Sequence, residues 1–205
     1  MNRLLCRLAV PGLALLLAAG CAVSGPEPAF RRPPAAEGKW ERVREAEKTR
    51  PSFHSGGIRG LESRTNAEWL ALAASLEHAP LTRRLAEVNA FFNRWPYRED
   101  KDVYGVAEYW ATPAEFAVSS GDCEDYAIAK YYALRHLGVP AARLRVATVW
   151  NRTRGEAHAV LVAYGDEAEV FILDNFSDRV RPRDAYPQYD LLLYVNEEAE
   201  WARKP

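Results

Sequence analysis

Apolar residues recur at helical spacing through three stretches of the chain and at strand spacing through four later ones. Thr65-Asn66-Ala67-Glu68 has the form of a capping box, and Trp69, Leu70, Leu72 and Leu76 follow it. The pair of signals predicts a helix that opens at Thr65 and stops before Pro80. Leu85, Val88, Phe92 and Trp95 predict a second helix, starting at Thr82 and closed by Pro96. The third is the best marked. Asp122-Cys123-Glu124-Asp125 heads it, Ala127, Ile128, Tyr131, Leu134 and Leu137 face inward, Gly138 caps it and Pro140 lies beyond. These apolar stripes are core faces, and His78 and His136 at helix ends complement the helix dipole.

Beyond Pro140 the period drops from 3.6 to 2, which predicts strands over 144–150, 157–164, 170–174 and 191–195, joined by short loops holding Asn151, Gly155, Gly165 and Asp166. Helices first and strands afterwards give an α+β fold, with the N-terminal helices packed on one face of an antiparallel sheet. A three-residue hairpin loop, Gly165-Asp166-Glu167, centres the turn on residue 166. That register sets His158 opposite Asp174, Val160 opposite Ile172 and Val162 opposite Val170, all six on one face.

The segments before residue 65 have no such pattern. Residues 40–50 are charged and weakly helical, and 51–63 read as a loop with Gly56-Gly57 and a solvated His54. Residues 22–39 are rich in Pro, Gly and Ala, as in a tether. Arg3 and Arg7 precede an apolar run over 8–19 that is too short to span a bilayer, so residues 1–20 read as an export signal. The run ends in Leu17-Ala18-Ala19-Gly20-Cys21, the form of a lipobox whose cysteine is acylated. The alternative is an ordinary signal peptide cut nearby, with Cys21 incidental. Residues 40–205 then make one domain, in keeping with 205 residues of which 48% are hydrophobic and 27% charged. Loss of residues 1–20 moves the formal charge from -1 to -3, which excludes nucleic acid as an electrostatic partner.

Of three cysteines, Cys6 leaves with the signal and Cys21 carries lipid, so a disulfide framework is excluded and Cys123 remains as a thiol. It stands in the first turn of a helix, where unpaired N–H groups and the dipole favour thiolate. Glu124 and Asp125 oppose that effect. A thiolate nucleophile needs an imidazole and a group to orient it, and the hairpin register offers His158 and Asp174. The competing readings are a buried inert cysteine and a structural His–Asp pair. Tyr109, Trp110 and Thr112, upstream of the nucleophile, read as core.

Ala107-Glu108-Tyr109-Trp110-Ala111-Thr112-Pro113, Gly121-Asp122-Cys123-Glu124-Asp125-Tyr126-Ala127-Ile128-Ala129-Lys130-Tyr131, His158-Ala159-Val160-Leu161 and Leu173-Asp174-Asn175 together resemble the bacterial transglutaminase-like cysteine proteases of the LapG type, over about residues 40–201. The resemblance implies a papain-like, transglutaminase-type core with Cys123, His158 and Asp174 as the triad. It also implies a calcium ion beside the nucleophile, with Asp122 and Glu124 matching its ligands and Asp125 a further candidate. The implied substrate is the N-terminal region of a large surface adhesin, cut at a paired alanine to control biofilm attachment. The implied regulator is an inner-membrane receptor for cyclic di-GMP. Ala22 after Cys21 favours a periplasmic protein held at the outer membrane by its lipid. Two alternatives share the sequence: a transglutaminase-type acyltransferase, and an idle calcium-binding envelope module.

Overall fold

The structure, a computed structural model, describes residues 38–202. The export signal, Cys21 and nearly all of the tether lie outside the described residues. Helix α1 (Lys39–Thr49) begins on the last residue of the expected tether. Its sequence is charged, but Trp40 is fully buried and its indole N–H donates to the Asn196 carbonyl at 2.8 Å. That anchor, with Val43, makes a helix of a segment with little apolar content.

Residues 51–63 hold a small antiparallel ladder, β1 (Phe53–His54) and β2 (Gly57–Ile58), where a loop was expected. Helix α2 (Ser63–Leu76) starts two residues before Thr65, with Glu62 at its N-cap and no side-chain cap. The capping-box reading fails because Thr65 lies inside the helix and Glu68, its expected partner, accepts from Arg94 at 2.9 Å, while the helix start is tied down through Asn66. Its Oδ1 accepts the Ile58 N–H at 2.9 Å and ties β2 to the helix. Tertiary bonding outweighs a cap worth about 1 kcal/mol. Helix α3 (Leu81–Phe92) starts at Leu81 rather than Thr82.

Two short helices were not predicted. The first, α4 (Asp100–Tyr104), is too short to show a period. The second, α5 (Pro113–Ser119), carried a legible signal: Thr112 Oγ1 accepts the Glu115 N–H at 3.3 Å, Glu115 Oε2 accepts the Thr112 N–H at 2.7 Å, and Pro113 occupies the first turn. Helix α6 (Cys123–His136) opens after Asp122 as the sequence predicts, and is buried all round from Glu124 to Leu134.

Six antiparallel strands follow: β3 (Leu144–Asn151), β4 (Glu156–Tyr164), β5 (Val170–Asp174), β6 (Ser177–Pro182), β7 (Tyr189–Val195) and β8 (Glu200–Ala202), in spatial order β6-β5-β4-β3-β7-β8. The unpredicted strands, β6 and β8, are the two edges. Edge strands need no alternation, and β6 with Asp178, Arg179, Arg181 and Pro182 has the polar make-up that discourages further pairing.

The helices cover one face of the sheet, as expected. Val146, Leu161, Ala163, Leu173, Leu193 and Val195 meet an aromatic core there that includes Trp40, Trp69, Phe92 and Phe116. Ala147, Val149, Val160, Val162, Ile172 and Leu191 form a second apolar layer on the far face, roofed by Tyr186 and Tyr189.

The hairpin register departs from expectation. Val162 faces Ile172 and Leu161 faces Leu173, a slip of two residues from the predicted pairing. The turn is longer than three residues: Gly165 N–H donates to the Glu169 carbonyl at 2.8 Å, and Ala168 adopts φ 62°. A slip of two leaves every side chain on its own face, whereas a slip of one would have inverted them all. His158 therefore keeps the face of Asp174 without standing directly opposite it.

Candidate active site

The chain reaches the head of α6 under constraint. Ser120, which closes α5, has φ 61° and ψ -169°, a region that non-glycine residues rarely enter. Gly121 follows, where a Cβ would stand 2.0 Å from Asp125 Oδ2. Asp125 needs that closeness, because it brackets the approach: Oδ2 accepts the Asp122 N–H at 3.3 Å and Oδ1 accepts the Ala111 N–H at 2.6 Å. The bracket joins the α6 head to the residues before α5 and fixes where Cys123 points.

On the sheet, the β4–β5 ladder ends at Leu161 and Leu173. From Val160 back to Glu156 strand β4 has no partner on β5, and the backbone N–H of Ala159 in this stretch acts on the Cys123 thiol, lowering its pKa. A helix on one face thus brings its first residue toward the strand that carries His158, whose side chain belongs to the other face. His158 Nε2 and Asp174 Oδ1 are 3.0 Å apart and both side chains are 2% exposed. With Nε2 engaged, Nδ1 is the ring nitrogen left for the thiol.

Asp174 is held on every side. Its Oδ1 also accepts the Phe176 N–H at 3.0 Å, and Oδ2 accepts the Tyr189 hydroxyl at 2.7 Å. Burial alone would raise its pKa, but the hydrogen bond and charge of His158, together with the other two donors, hold the carboxyl below its ordinary value. The imidazole is clamped by rings: Phe176 stacks on it with centroids 4.4 Å apart, and Tyr189 lies tilted at 5.7 Å. The guanidinium of Arg154 sits 4.2 Å over the outer face of Phe176. Phe176 and Tyr189 carry no sequence signal; they arrive by folding.

The electrostatics at Cys123 run against thiolate. Burial pushes the thiol well above its ordinary pKa, the charges of Glu124 and Asp122 push further, and the Ala159 N–H opposes them. Cys123 Sγ lies 3.3 Å from Glu124 Oε2. Burial and mutual repulsion raise the acids as well, Asp122 to about 9 and Asp125 to about 8, with Glu124 also raised. The helix-dipole advantage read from the sequence is real but outweighed.

Carboxylate oxygens of Asp100, Asp122 and Asp125 lie within 4.8 Å of one another, as do ligand atoms of Asp122, Cys123 and Glu124. Oδ1 of Asp100 and Oδ1 of Asp122 are buried without a hydrogen-bond partner. Buried acids gathered this closely, two of them with an unpartnered oxygen, have the donor chemistry that suits a hard divalent cation. Asp100 is the acid that the sequence did not reveal. It stands in Glu99-Asp100-Lys101-Asp102, which reads as a solvated charge run, yet it is 1% exposed and accepts the Tyr109 N–H.

Other residues find plainer places. Trp110 and Tyr109 pack in or against the core, as expected, whereas Thr112, read as core, caps the unpredicted α5. His136 differs from its dipole reading: it stacks on Phe53, and burial lowers its pKa. Lys130, wholly enclosed on α6, is brought by burial to about 7, against the attraction of Asp174 and Asp178.

Helices on one face of an antiparallel sheet, with a helix-head cysteine meeting the strand that carries an imidazole–carboxylate pair, define the transglutaminase-like class of fold. Residues 66–202 match the family model of the bacterial transglutaminase-like cysteine proteinases, and the chain belongs to that family. Three solved structures of Legionella pneumophila LapG superpose on it. The calcium-bound form does so with a TM-score of 0.63 at 33% identity, covering 80% of this chain and 88% of that one. A second LapG structure gives 0.61 at 31% identity, covering 79% and 86%. The EGTA-treated form gives 0.61 at 31%, covering 80% and 86%. No curated protein matches the chain. Membership makes this a cysteine peptidase that acts on protein.

Proposed function

We propose that the protein is a calcium-dependent cysteine endopeptidase of the cell envelope, with Cys123 as nucleophile, His158 as general base and acid, and Asp174 as the group that orients the ring. The observation that carries this reading is the buried imidazole–carboxylate pair of His158 and Asp174, bonded at 3.0 Å, in a chain of a cysteine-proteinase family whose one free cysteine among the described residues, Cys123, heads α6. The Cys123 thiolate attacks the scissile carbonyl carbon and the carbonyl electron pair moves to oxygen, where backbone N–H groups stabilise it. On collapse the C–N bond breaks, the leaving amine takes a proton from the His158 imidazolium, and a thioester remains. Neutral His158 then takes a proton from water as its oxygen attacks the thioester, and the C–S bond breaks to release the acid and restore the thiolate–imidazolium pair.

Asp100, Asp122, Glu124 and Asp125 are the residues to hold calcium, since the orphaned Oδ1 atoms suit a hard cation. Bound there, calcium supplies positive charge that offsets the carboxylate repulsion and favours the thiolate. The calcium-bound and EGTA-treated LapG structures support this assignment.

The substrate class follows from the likeness to LapG: the N-terminal region of a large surface adhesin, with an inner-membrane cyclic di-GMP receptor as regulator of biofilm attachment. Residues 1–20 direct export, and acylation of Cys21 holds the enzyme in the periplasm at the outer membrane. The test is cleavage of an adhesin N-terminal fragment bearing a paired alanine. Cys123→Ala and His158→Ala should abolish it in folded protein, and Asp174→Asn should leave a residue of activity. Full cleavage by folded Cys123→Ala ends the proposal. For the anchor, Cys21→Ser should move the protein from the membrane to the soluble fraction; unchanged fractionation and processing would refute lipidation.

A further inference from the structure

We propose that Tyr189 is a positioning residue for catalysis, acting through Asp174: its hydroxyl locks the carboxylate that orients His158. The proposal rests on the reading of Cys123, His158 and Asp174 as the catalytic set.

Tyr189 has no right to this place by simple strand alternation. Along β7, Val195 and Leu193 point to the helix-covered face, so Leu191 and Tyr189 would follow them there. The register instead shifts between Thr148 and Val149: Thr148 faces Leu193 but Val149 faces Leu191, leaving Leu192 as an extra residue, 40% exposed. This β-bulge inverts the remainder of the strand and turns Leu191 and Tyr189 onto the face of Val149 and His158. Bulges commonly re-aim a side chain beside a functional site. Here it sends a phenol from β7, across β3 and β4, to a carboxylate on β5.

The contact made there suits positioning. Tyr189 donates to Asp174 Oδ2 at 2.7 Å, leaving Oδ1 for His158 Nε2 and the Phe176 N–H. With both oxygens held, the carboxylate cannot rotate away from the ring. The Tyr189 ring also closes one flank of the imidazole, and Tyr186 stacks behind it at 5.2 Å. Burial and the negative charge of Asp174 keep the phenol protonated far above neutral pH, so the donor is permanent.

The experiment is the rate of Cys123 alkylation by iodoacetamide in the calcium-supplemented full chain, followed on the Cys123 peptide by mass spectrometry across pH. A thiolate–imidazolium pair reacts at acid pH where a free thiol does not. Tyr189→Phe keeps the ring and removes only the hydroxyl. It should slow alkylation at about pH 6 by between about tenfold and a hundredfold, the worth of one hydrogen bond to a charged group, in a protein that still melts cooperatively, a few degrees below the wild type. In an Asp174→Asn background the same substitution should change the rate by less than about twofold, because its route of action is gone. A wild-type rate in Tyr189→Phe, or an equal loss in both backgrounds, overturns the proposal. An Asp174→Asn protein that reacts at the wild-type rate overturns the catalytic set itself, a failure distinct from that of Tyr189 alone. Should Tyr189→Phe not fold, NMR titration of ring-carbon-labelled tyrosine in the wild type decides. The Tyr189 signal should stay unmoved at about pH 11 while exposed tyrosines shift, and titration alongside them refutes the bond.

Discussion

Asp174 shows how one residue ties chemistry to stability. Its folded pKa lies below the ordinary value of 3.8, because the bonds from His158, Phe176 and Tyr189 outweigh burial. The folded state therefore binds fewer protons than the unfolded state in the window below 3.8, and stability rises with pH through it. The contribution is fully present above the unfolded value and is lost as pH falls through the folded one. The urea midpoint of the wild type should exceed that of Asp174→Asn most at about pH 6, with the gap closing at about pH 2. A gap independent of pH would mean that the carboxylate is not held ionised by the fold. The identity of this residue was legible in sequence together with Cys123 and His158, since residue type and spacing bear on chemistry directly. Asp100 was not, because nothing local separates a buried acid from a solvated one.

At the scale of the element, the head of α6 is set by contacts to segments outside the helix. The Asp125 bracket occupies the space where a Gly121 side chain would stand. Gly121→Ala should displace that carboxylate, cost roughly 1–3 kcal/mol as other overpacked sites do, and depress proteolysis along with stability. Gly138, which follows the same helix, offers the contrast: it has φ 85° and open space around it. Gly138→Ala should cost about 1 kcal/mol through backbone conformation alone, with proteolysis intact. Thermal melts and cleavage assays on the two variants distinguish them, and equal activity in both would remove the bracket from the account of the site. The sequence marked where α6 begins through Asp122 and Asp125, but assigned Thr65 a capping role that the earlier start at Ser63 and the bond of Glu68 to Arg94 leave no place for.

For the whole molecule, calcium should act as ligand and as fold stabiliser, because the acids it joins come from α4 and from the head of α6. A ligand present at a hundred times its dissociation constant adds about 2.7 kcal/mol to the stability of the state that binds it. Chelation should therefore lower the melting temperature and stop proteolysis, both reversibly, and Glu124→Ala should mimic the loss of activity. A chelated protein with unchanged melting and cleavage would leave the acids without a metal. Among the described residues no helix is long and apolar enough to cross a membrane.

The sequence by itself determined the α+β layering, the start of α6 and the faces of the central strands, and it supplied the residues proposed here for the chemistry. Each of these is written in a local period or residue type, and the two-residue slip at 165–169 could not disturb them, because a strand repeats every two residues. The tertiary structure decided what local pattern cannot carry. Edge strands β6 and β8 have no second face to declare them. Asp100 became a candidate ligand by being buried against Asp122, and the bulge at Leu192 inverted a strand whose alternation pointed elsewhere. For Asp100 and the bulge the deciding contact joins residues far apart in the chain, and its energy enters only once the core has closed around them.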